Sequence, residues 1–358
     1  MKILQVMFSR GQGGLERVFE DHAALLAGRG HSVHCLIADD AATGAQLAEL
    51  VARSQGRIVL HRVAASGWSR WLVHWRLRRL VGAIAPQAII AHGAKSVSRL
   101  RRLRPASVPL IGVTHNASAR LLRATHLIAL TRGMSELFAT RGFPPSRIHE
   151  IPNPLPLRVA GLPKPSFLVP QPPLRIGVLC RLVHKKGVDV FLRGFRLALD
   201  GGLRAQAVIG GDGPERERLE ALSRSLGLEP NVRFAGWVRE AEAFYRGIDW
   251  FCIPSRDEPF GLVALESFAH GVPVLASSVG GLAEIVTDGV NGLLFRADDP
   301  SALAAALLRA QQQDDRVPVL CEAAHASLER YRPEVIAARI EASIQAAIAD
   351  LRTAPAQR

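Results

Sequence analysis

Short apolar runs alternate with amphipathic stretches along this chain, and no other feature restricts its possible folds as much. In the first half, the runs that predict buried strands lie at 2–8, 31–38, 87–93, 108–116 and 125–131. Amphipathic stretches at about 15–27 and 68–84 predict helices. Strand, helix and strand at this spacing are typical of βαβ units, so the first half predicts a mostly parallel sheet.

A proline-rich stretch interrupts the pattern, because eight prolines lie between residues 152 and 173. Proline fixes its own φ angle and restricts the residue before it, so we expect no regular element there and interpret the stretch as an interdomain linker. The pattern then restarts. The second set of predicted strands is 174–181, 205–213, 231–236, 250–255, 273–278 and 291–295, and the predicted helices are about 187–198, 261–270, 301–312 and 335–351.

Two such series predict an α/β protein with two tandem Rossmann-like, doubly wound domains that face each other across a cleft. The length of 358 residues also fits two domains. We expect an N-terminal domain over 1–165 and a C-terminal domain over 170–334, with a final helix at about 335–358 packing back onto the first domain. Ligands of such sheets bind beyond the carboxyl ends of the strands, so the cleft is the expected site.

Charge is distributed unevenly between the two halves. The net charge is +13, but residues 1–170 carry 23 Lys and Arg against 8 Asp and Glu, whereas residues 171–358 carry 22 against 24. A strongly basic half favours an anionic partner, which leaves nucleic acid, an anionic membrane surface or a phosphorylated substrate open.

Cysteine usage and hydropathy indicate the compartment. The four cysteines are scattered without a CxxC pair, which predicts free thiols in a reducing cytosol. No uncharged apolar run is long enough for a transmembrane helix, and the N-terminal MKILQVMF is too short for a signal-peptide core. We therefore expect a cytoplasmic protein.

Two glutamates eight residues apart mark the most specific segment, 254–295. Glu258 follows a predicted strand, and Glu266 lies in the helix after it. The amides of the first helical turn are free to bind an anion, and a carboxylate can accept hydrogen bonds from sugar or ribose hydroxyls. The arrangement suits a nucleotide sugar, although two surface glutamates would also fit the pattern when taken alone.

Two further segments suit the phosphates of such a ligand. In RLVHKKG (181–187), Arg181 and Lys186 place two cations after a strand, where they can neutralise a diphosphate. In GQGGLE (11–16), glycines let the backbone approach a phosphate closely. Because GQGG is not GxGxxG and no suitably placed acidic residue follows, an NAD site is poorly supported.

Taken together, these motifs resemble the retaining glycosyltransferases of the GT-B fold in family 4, also described as glycosyl transferases group 1. The resemblance runs from GGLE (13–16) through AHG (91–93), THN (114–116), PNPL (152–155), RLVHKKG (181–187) and GDGPE (211–215) to the segment 254–295. It covers nearly the whole chain in the expected order. One departure is THN, which stands where His-Asp or His-Gly is commoner in the family.

The resemblance implies a role for each matching residue. It assigns catalytic roles to Arg181 and Lys186 at the donor diphosphate, Glu258 at the transferred sugar and His115 near the reacting carbon. It assigns donor contacts to Gly14, Gly211, Asp212, Phe260, Gly261, Leu262, Val263 and Glu266, the last at the ribose. His92 corresponds to a histidine that is frequent in the family.

The resemblance also implies the reaction and its requirements. We expect a hexose-type sugar to move with retention from a UDP-, GDP- or ADP-sugar to a glycan or lipid-linked acceptor, such as lipopolysaccharide core. No D-x-D triplet occurs, so we expect no metal cofactor, with cations of the protein neutralising the diphosphate. A nucleotide-sugar epimerase or a glycogen-type synthase of similar fold remains the alternative enzyme.

The basic N-terminal half contains a segment that suggests where the enzyme binds its acceptor. Trp68, Trp71, Leu72 and Trp75 repeat at helical spacing, with arginines around them. Tryptophans among basic residues suit an anionic membrane surface, which favours peripheral association with the inner face of the cytoplasmic membrane. An ordinary helix that buries its tryptophans on the sheet is equally compatible with the pattern. A nucleic-acid-binding protein is the remote alternative, because no recognisable binding module is present.

Overall fold

The computed structural model describes residues 1–8, 14–39, 41–63, 70–165, 167, 169–313 and 316–353. The chain divides into two compact units. Unit 1 comprises Met1–Leu157 with Tyr331–Arg358, and unit 2 comprises Arg158–Arg330.

Unit 1 is built around a parallel sheet. Among its described residues the strands are β1 (Lys2–Met7), β2 (Ser32–Ala38), β3 (Ile58–Val63), β4 (Ala88–His92), β5 (Leu110–Val113), β6 (His126–Ala129) and β7 (Ile148–Glu150). The helices are α1 (Gly14–Gly28), α2 (Ala41–Arg53), α3 (Arg70–Ile84), α4 (Ala94–Leu100) and α5 (Arg132–Thr140). The strand order is β3-β2-β1-β4-β5-β6-β7, so the order reverses between β1 and β4.

Unit 2 repeats this plan with a second parallel sheet. Its described strands are β8 (Leu174–Leu179), β9 (Ala205–Gly210), β10 (Val232–Gly236), β11 (Trp250–Ile253), β12 (Val274–Ser277) and β13 (Leu293–Phe295). The helices are α6 (Leu157–Ala160), α7 (Val188–Asp200), α8 (Arg216–Ser225), α9 (Ala241–Arg246), α10 (Leu262–Ala269), α11 (Leu282–Ile285), α12 (Pro300–Gln311) and α13 (Val317–Ser327). The strand order is β10-β9-β8-β11-β12-β13, with the reversal between β8 and β11.

Ion pairs attach the C-terminal helix α14 (Pro333–Thr353) to unit 1. Glu341 pairs with Arg29 of the turn after α1, and Arg147 Nη2 lies 2.9 Å from Asp350 Oδ2. Buried side chains such as Ile336, Ile340 and Ile344 recur every four residues along the helix. One apolar face of α14 is therefore covered, as expected for an amphipathic helix that packs on a domain.

Apolar side chains from both faces of each sheet form the two cores. In unit 2, Trp250, Phe191 and Phe195 are fully buried, and Phe191 stacks on Phe195. The central strands β4, β5, β11 and β12 are buried along their whole length, as expected when helices cover both faces of a parallel sheet. The predicted α/β fold with two parallel, doubly wound sheets is confirmed.

Two local expectations need correction or completion. The proline-rich segment was expected to hold no regular element, but α6 lies within it. Prolines 156 and 163 leave six proline-free residues between them, enough for one helical turn. The sequence pattern also did not predict β3, an edge strand with several partly exposed residues, nor the three-residue β7.

The described part of helix α3 shows which of its side chains are buried. Its covered face carries Leu77, Val81 and Ile84, whereas the Trp75 side chain is 44% exposed and stacks with Arg79. The alternative that Trp75 is buried on the sheet is therefore wrong. Trp68 and the side chains of Trp71 and Leu72 lie outside the described residues.

Candidate active site

In unit 2, two loops meet where the strand order reverses, which is the position at which open α/β sheets bind ligands. The first loop follows β8 and carries Arg181 and Lys186. The second follows β11 and carries Glu258. Gly187 is the point of contact, because a Cβ atom on it would lie 1.9 Å from the carbonyl oxygen of Pro254. Only glycine permits this approach, and its φ of 65° is also in the left-handed region.

Lys186 and Glu258 form an ion pair between these two loops. Lys186 Nζ donates a hydrogen bond to Glu258 Oε2 at 2.5 Å, and both side chains are mostly buried. Ser255 Oγ also donates to that carboxylate oxygen at 3.4 Å. The structure thus brings together two predicted site residues that are 72 positions apart in the sequence. Arg181 lies exposed at the start of the first loop.

An arginine that the sequence analysis did not single out joins the two loops by hydrogen bonds. Arg256 donates two hydrogen bonds to Asp189 of α7, at 2.8 and 2.9 Å, and a third to the carbonyl of His184. Its backbone amide donates to the carbonyl of Lys185 at 2.8 Å. The nearby Arg256 guanidinium lowers the pKa of Asp189 against the opposing effect of burial. No local pattern marks this role, because the partners are 67 residues apart.

The four residues Phe260 to Val263 form the turn that opens α10. Gly261 has φ 104° and precedes the helix without a side-chain cap. The amides of Leu262 and Val263 belong to the first helical turn, where the helix itself supplies no acceptor. The positive end of the helix dipole adds to these donors, so the turn can bind an anionic group.

The GDG turn after β9 lies against the first loop. The amide of Leu182 donates to the carbonyl of Asp212 at 2.9 Å, and the amide of Gly211 donates to the carbonyl of Gly236 at 2.7 Å. Asp212 Oδ1 accepts a hydrogen bond from the amide of Gly213 at 2.7 Å. Gly211 and Asp212 are therefore adjacent to the loop of Arg181 and Lys186.

Glu266 lies in the second turn of α10 and is only 3% exposed. Its carboxylate pairs with Arg158 of α6, with Nη2 and Oε1 2.5 Å apart. Burial raises the pKa of Glu266, and the positive charge of Arg158 opposes that rise. Sequence reasoning missed this partner because Arg158 lies in the proline-rich segment that we interpreted as a linker.

For the nucleotide-sugar ligand that the sequence motifs predict, we expect the Arg158→Ala variant to show binding that is more sensitive to acid. Without the arginine, the pKa of Glu266 rises further, so the carboxylate becomes protonated at a higher pH and accepts fewer hydrogen bonds. In Arg158→Ala, the Kd for the donor should be about tenfold larger near pH ~6 than near pH ~8, because hydrogen bonds to a charged group are lost. Calorimetric titration across this range measures the effect.

Lys164→Ala is the matched control, because it removes an exposed ion pair, with Glu322, from the same connecting segment. An equal acid sensitivity of the wild-type, Arg158→Ala and Lys164→Ala proteins would contradict the role of Arg158.

In unit 1, the predicted residues lie near the carboxyl ends of β1 and β5. Gly14 is the exposed first residue of α1, and residues 9–13, which include most of GQGG, lie outside the described part of the chain. His115 follows β5, and its Nε2 lies 3.1 Å from Nδ1 of His92 at the end of β4. Burial lowers the pKa of His115 to about 4, so its ring is neutral at physiological pH.

The described residues include neither a metal-binding cluster nor a membrane-spanning helix. They contain no group of three or more His, Cys, Asp or Glu side chains arranged to hold a metal ion. None of their helices combines the length and apolar character required to cross a bilayer. All four cysteines are described, and each has a free thiol.

Comparison with known proteins identifies the family to which this chain belongs. Residues 12–159 match the family model described as Glycosyltransferase Family 4, and residues 173–313 match Glycosyl transferases group 1. The two matches follow one another along most of the chain. The protein belongs to glycosyltransferase family 4 and is a transferase enzyme, as the sequence motifs predicted.

Similar proteins include one that aligns over nearly its whole length. The lipopolysaccharide core biosynthesis glycosyltransferase LpsD of Rhizobium meliloti is 29% identical over 86% of this chain and 88% of LpsD. An uncharacterized glycosyltransferase of Methanocaldococcus jannaschii is 40% identical over 35% of this chain, and the match spans only 32% of that protein.

The crystal structure of Anabaena HepE in complex with UDP shares the fold. The TM-score is 0.80 at 21% identity, with 96% of this chain and all of HepE covered. The chain therefore has the GT-B fold.

Proposed function

We propose that the enzyme transfers a hexose-type sugar, with retention of configuration, from a nucleotide-diphosphate sugar to a membrane-associated glycan or glycolipid. The observation that carries the proposal is the convergence of Lys186, Glu258 and the uncapped start of α10 where the strand order of unit 2 reverses. A cation, a carboxylate and free amides beside one another match the parts of a nucleotide sugar. The complex of HepE with UDP supports this class of donor.

Each part of the proposed donor has a residue to bind it. Lys186 and Arg181 neutralise the diphosphate, with the amides of Gly261, Leu262 and Val263 as further donors. Glu258 accepts hydrogen bonds from hydroxyls of the sugar, and Phe260 lies beside it in the same turn. Glu266 accepts from the ribose, and Gly211 and Asp212 lie near the base.

The family resemblance is the basis for two further proposed contacts, Gly14 at a phosphate or sugar oxygen and His115 at the transferred sugar. A pKa of about 4 makes His115 a hydrogen-bonding group at neutral pH and not a cation.

For the chemical step we propose front-face attack by the acceptor hydroxyl on a short-lived oxocarbenium ion. Retention through a covalent intermediate would require a carboxylate on the far face of the anomeric carbon. Glu258 is assigned to the sugar hydroxyls, and its Oε2 is already paired with Lys186. The departing phosphate accepts the proton of the acceptor hydroxyl, and the protein stabilises the negative charge that develops on that phosphate.

We expect transfer to continue in the presence of EDTA. In the proposed mechanism the leaving diphosphate is neutralised by Lys186, Arg181 and helix amides, which a chelator does not remove. Initial rates with and without excess EDTA, after exhaustive dialysis, should agree within about twofold. Complete loss of transfer that Mg²⁺ or Mn²⁺ restores would show that a metal performs this task.

A screen of nucleotide sugars tests the proposed function directly. A donor at 100 times its Kd should stabilise the fold by about 2.7 kcal/mol, which thermal unfolding detects easily. UDP-, GDP- and ADP-sugars, with NAD as a negative control, cover the donors considered. A labelled donor that gives a glycosylated acceptor supports transfer, whereas a labelled epimer or a homopolymer would support the alternative enzymes. No stabilisation by any nucleotide sugar would contradict the proposal.

The acceptor is proposed to be lipopolysaccharide core or a related lipid-linked glycan at the inner face of the cytoplasmic membrane. LpsD supports this class by its name and by its match over most of both chains. The exposed side of α3 supports the membrane location, because Trp75 lies exposed among Arg76, Arg78 and Arg79. Another set of basic residues, also in unit 1, is Lys95, Arg99, Arg101, Arg102 and Arg104.

We expect Trp75→Ala to weaken binding to anionic vesicles by about tenfold, because the indole no longer enters the interface. Co-sedimentation with vesicles that contain phosphatidylglycerol, compared with pure phosphatidylcholine vesicles, measures this. Trp237→Ala is the matched control, since Trp237 is 61% exposed but lies in unit 2. Equal sedimentation of both variants and the wild type would exclude Trp75 from membrane docking.

A further inference from the structure

Three histidines lie together in unit 1, and two of them are almost fully buried. His22 is 1% exposed and His92 is 2% exposed. The rings of His22 and Phe19 pack edge-on against His92, each with a centroid distance of 5.2 Å. His92 also contacts His115, whose ring is nearly parallel to that of His92, with a centroid distance of 5.3 Å. His92 thus connects the interior of the unit with His115, which is only partly buried.

The position of His92 is fixed by its backbone as well as by this packing. Its carbonyl accepts a hydrogen bond from Ser96 Oγ at 2.9 Å, and the same hydroxyl oxygen accepts one from the amide of Phe8 at 3.2 Å. These contacts connect the ends of β4 and β1 with the first turns of α4. The backbone of His92 is therefore held in place, and the rings of Phe19, His22 and His115 surround its side chain.

Hydrogen bonding restricts where the proton of neutral His92 can lie. Its Nδ1 faces Nε2 of His115 at 3.1 Å, whereas its own Nε2 is buried without a hydrogen-bond partner in the described structure. A proton on Nε2 would create a buried, unpaired N–H group, which native proteins avoid more strictly than an unpaired acceptor. The proton of His92 therefore belongs on Nδ1, where it has an acceptor.

The electrostatic surroundings keep the cluster neutral. Burial lowers the pKa of His92 well below its usual value, and the neighbouring His22 and His115 lower it further. Burial also lowers the pKa of His22 to about 3. Each ring then carries a single N–H, and because among these described rings only His92 and His115 share a hydrogen bond, the tautomer of His92 determines that of His115.

We propose that His92 is a positioning residue: it donates Nδ1–H to Nε2 of His115 and thereby holds His115 as the Nδ1–H tautomer. His115 then offers an N–H donor at Nδ1, an atom with no hydrogen bond to any described residue. With its Nε2 lone pair occupied, His115 cannot act as a general base. It serves the transferred sugar as a hydrogen-bond donor to an oxygen, and this last step rests on the proposed function.

The tautomer can be measured without any substrate. In protein labelled with ¹⁵N-histidine, long-range ¹H–¹⁵N correlation spectra distinguish Nδ1–H from Nε2–H rings, and the His115→Gln variant identifies the signals of His115. We expect Nδ1–H for His115 in the wild-type protein. In His92→Phe, which keeps a ring but removes the donor, we expect His115 to shift toward the Nε2–H form. An Nε2–H ring in the wild type, or an unchanged tautomer in His92→Phe, overturns the proposal.

The kinetic test separates positioning from packing. His92→Asn places an amide N–H₂ close to the position of Nδ1, so we expect it to keep the His115 tautomer and kcat within about threefold of wild type. His92→Phe should lower kcat by about tenfold with the donor KM nearly unchanged. Equal losses in both variants would show a packing role and overturn the proposal.

The His115→Gln variant distinguishes this inference from the proposed function. If His115 has the predicted tautomer but His115→Gln keeps wild-type kcat and donor KM, the proposed sugar contact is wrong and the tautomer assignment stands.

Discussion

Replacing Lys186 with alanine should lower kcat by about 100- to 1000-fold. In the proposed mechanism Lys186 stabilises charge that grows on the leaving diphosphate, and the loss of one such contact typically costs about 2.7–4 kcal/mol of barrier. The substitution also leaves Glu258, now paired with Lys186 at 2.5 Å, without its cation. Initial rates at saturating donor, with the donor found in the nucleotide-sugar screen, measure the effect.

Lys185→Ala is the control for this experiment. Lys185 is the exposed neighbour, and the contact it makes to Arg256 uses its backbone carbonyl, which alanine retains. We expect its kcat to stay within about twofold of wild type. Near-wild-type turnover of Lys186→Ala, in protein with an unchanged circular dichroism spectrum, would remove Lys186 from the mechanism.

Replacing Gly187 with alanine should destabilise the fold by about 2–5 kcal/mol. A left-handed conformation costs a non-glycine residue about 1–2 kcal/mol, and forcing extra atoms into a packed site adds about 1–3 kcal/mol. The added Cβ would lie 1.9 Å from the Pro254 carbonyl oxygen, so the two loops that carry Lys186 and Glu258 must separate. Denaturant unfolding measures the stability, and donor titration should show weaker binding in the protein that remains folded.

Gly227→Ala isolates the contribution of the clash. Gly227 has a similar φ of 64°, but nothing lies within 4 Å of a Cβ added to it. Gly227→Ala should therefore lower the free energy of unfolding only by the cost of the left-handed conformation, about 1–2 kcal/mol. If Gly187→Ala and Gly227→Ala were equally stable, the close approach of the two loops would not constrain the site.

Some features of the site were predictable because they are local. A glycine after Lys186, a carboxylate after a predicted strand and a helix start without a capping side chain each occupy a few consecutive residues. Their chemistry can therefore be inferred from residue types and spacing, even before a family resemblance is considered. The same holds for most strands of the two sheets, whose apolar runs reflect burial on both faces, but not for β3 and β7.

The partners of these residues were not predictable. Arg158 lies 108 positions before Glu266, and Asp189 lies 67 positions before Arg256. A sequence pattern records side-chain periodicity but not which strand lies beside which. In helix α3, likewise, the repeat of tryptophans suggested one apolar face. The residues that are buried in the structure are instead Leu77, Val81 and Ile84, and Trp75 is exposed.

The sequence by itself therefore determined the class of fold and the two-part organisation, because these depend on periodicity, and its short motifs are the basis for the proposed kind of ligand. Only the tertiary structure decided which charges neutralise one another and which histidine holds His115. Those pairings exist because parallel sheets with a reversed strand order bring distant strand ends to one edge, where the low dielectric of a buried site makes each charge and each N–H require a specific partner.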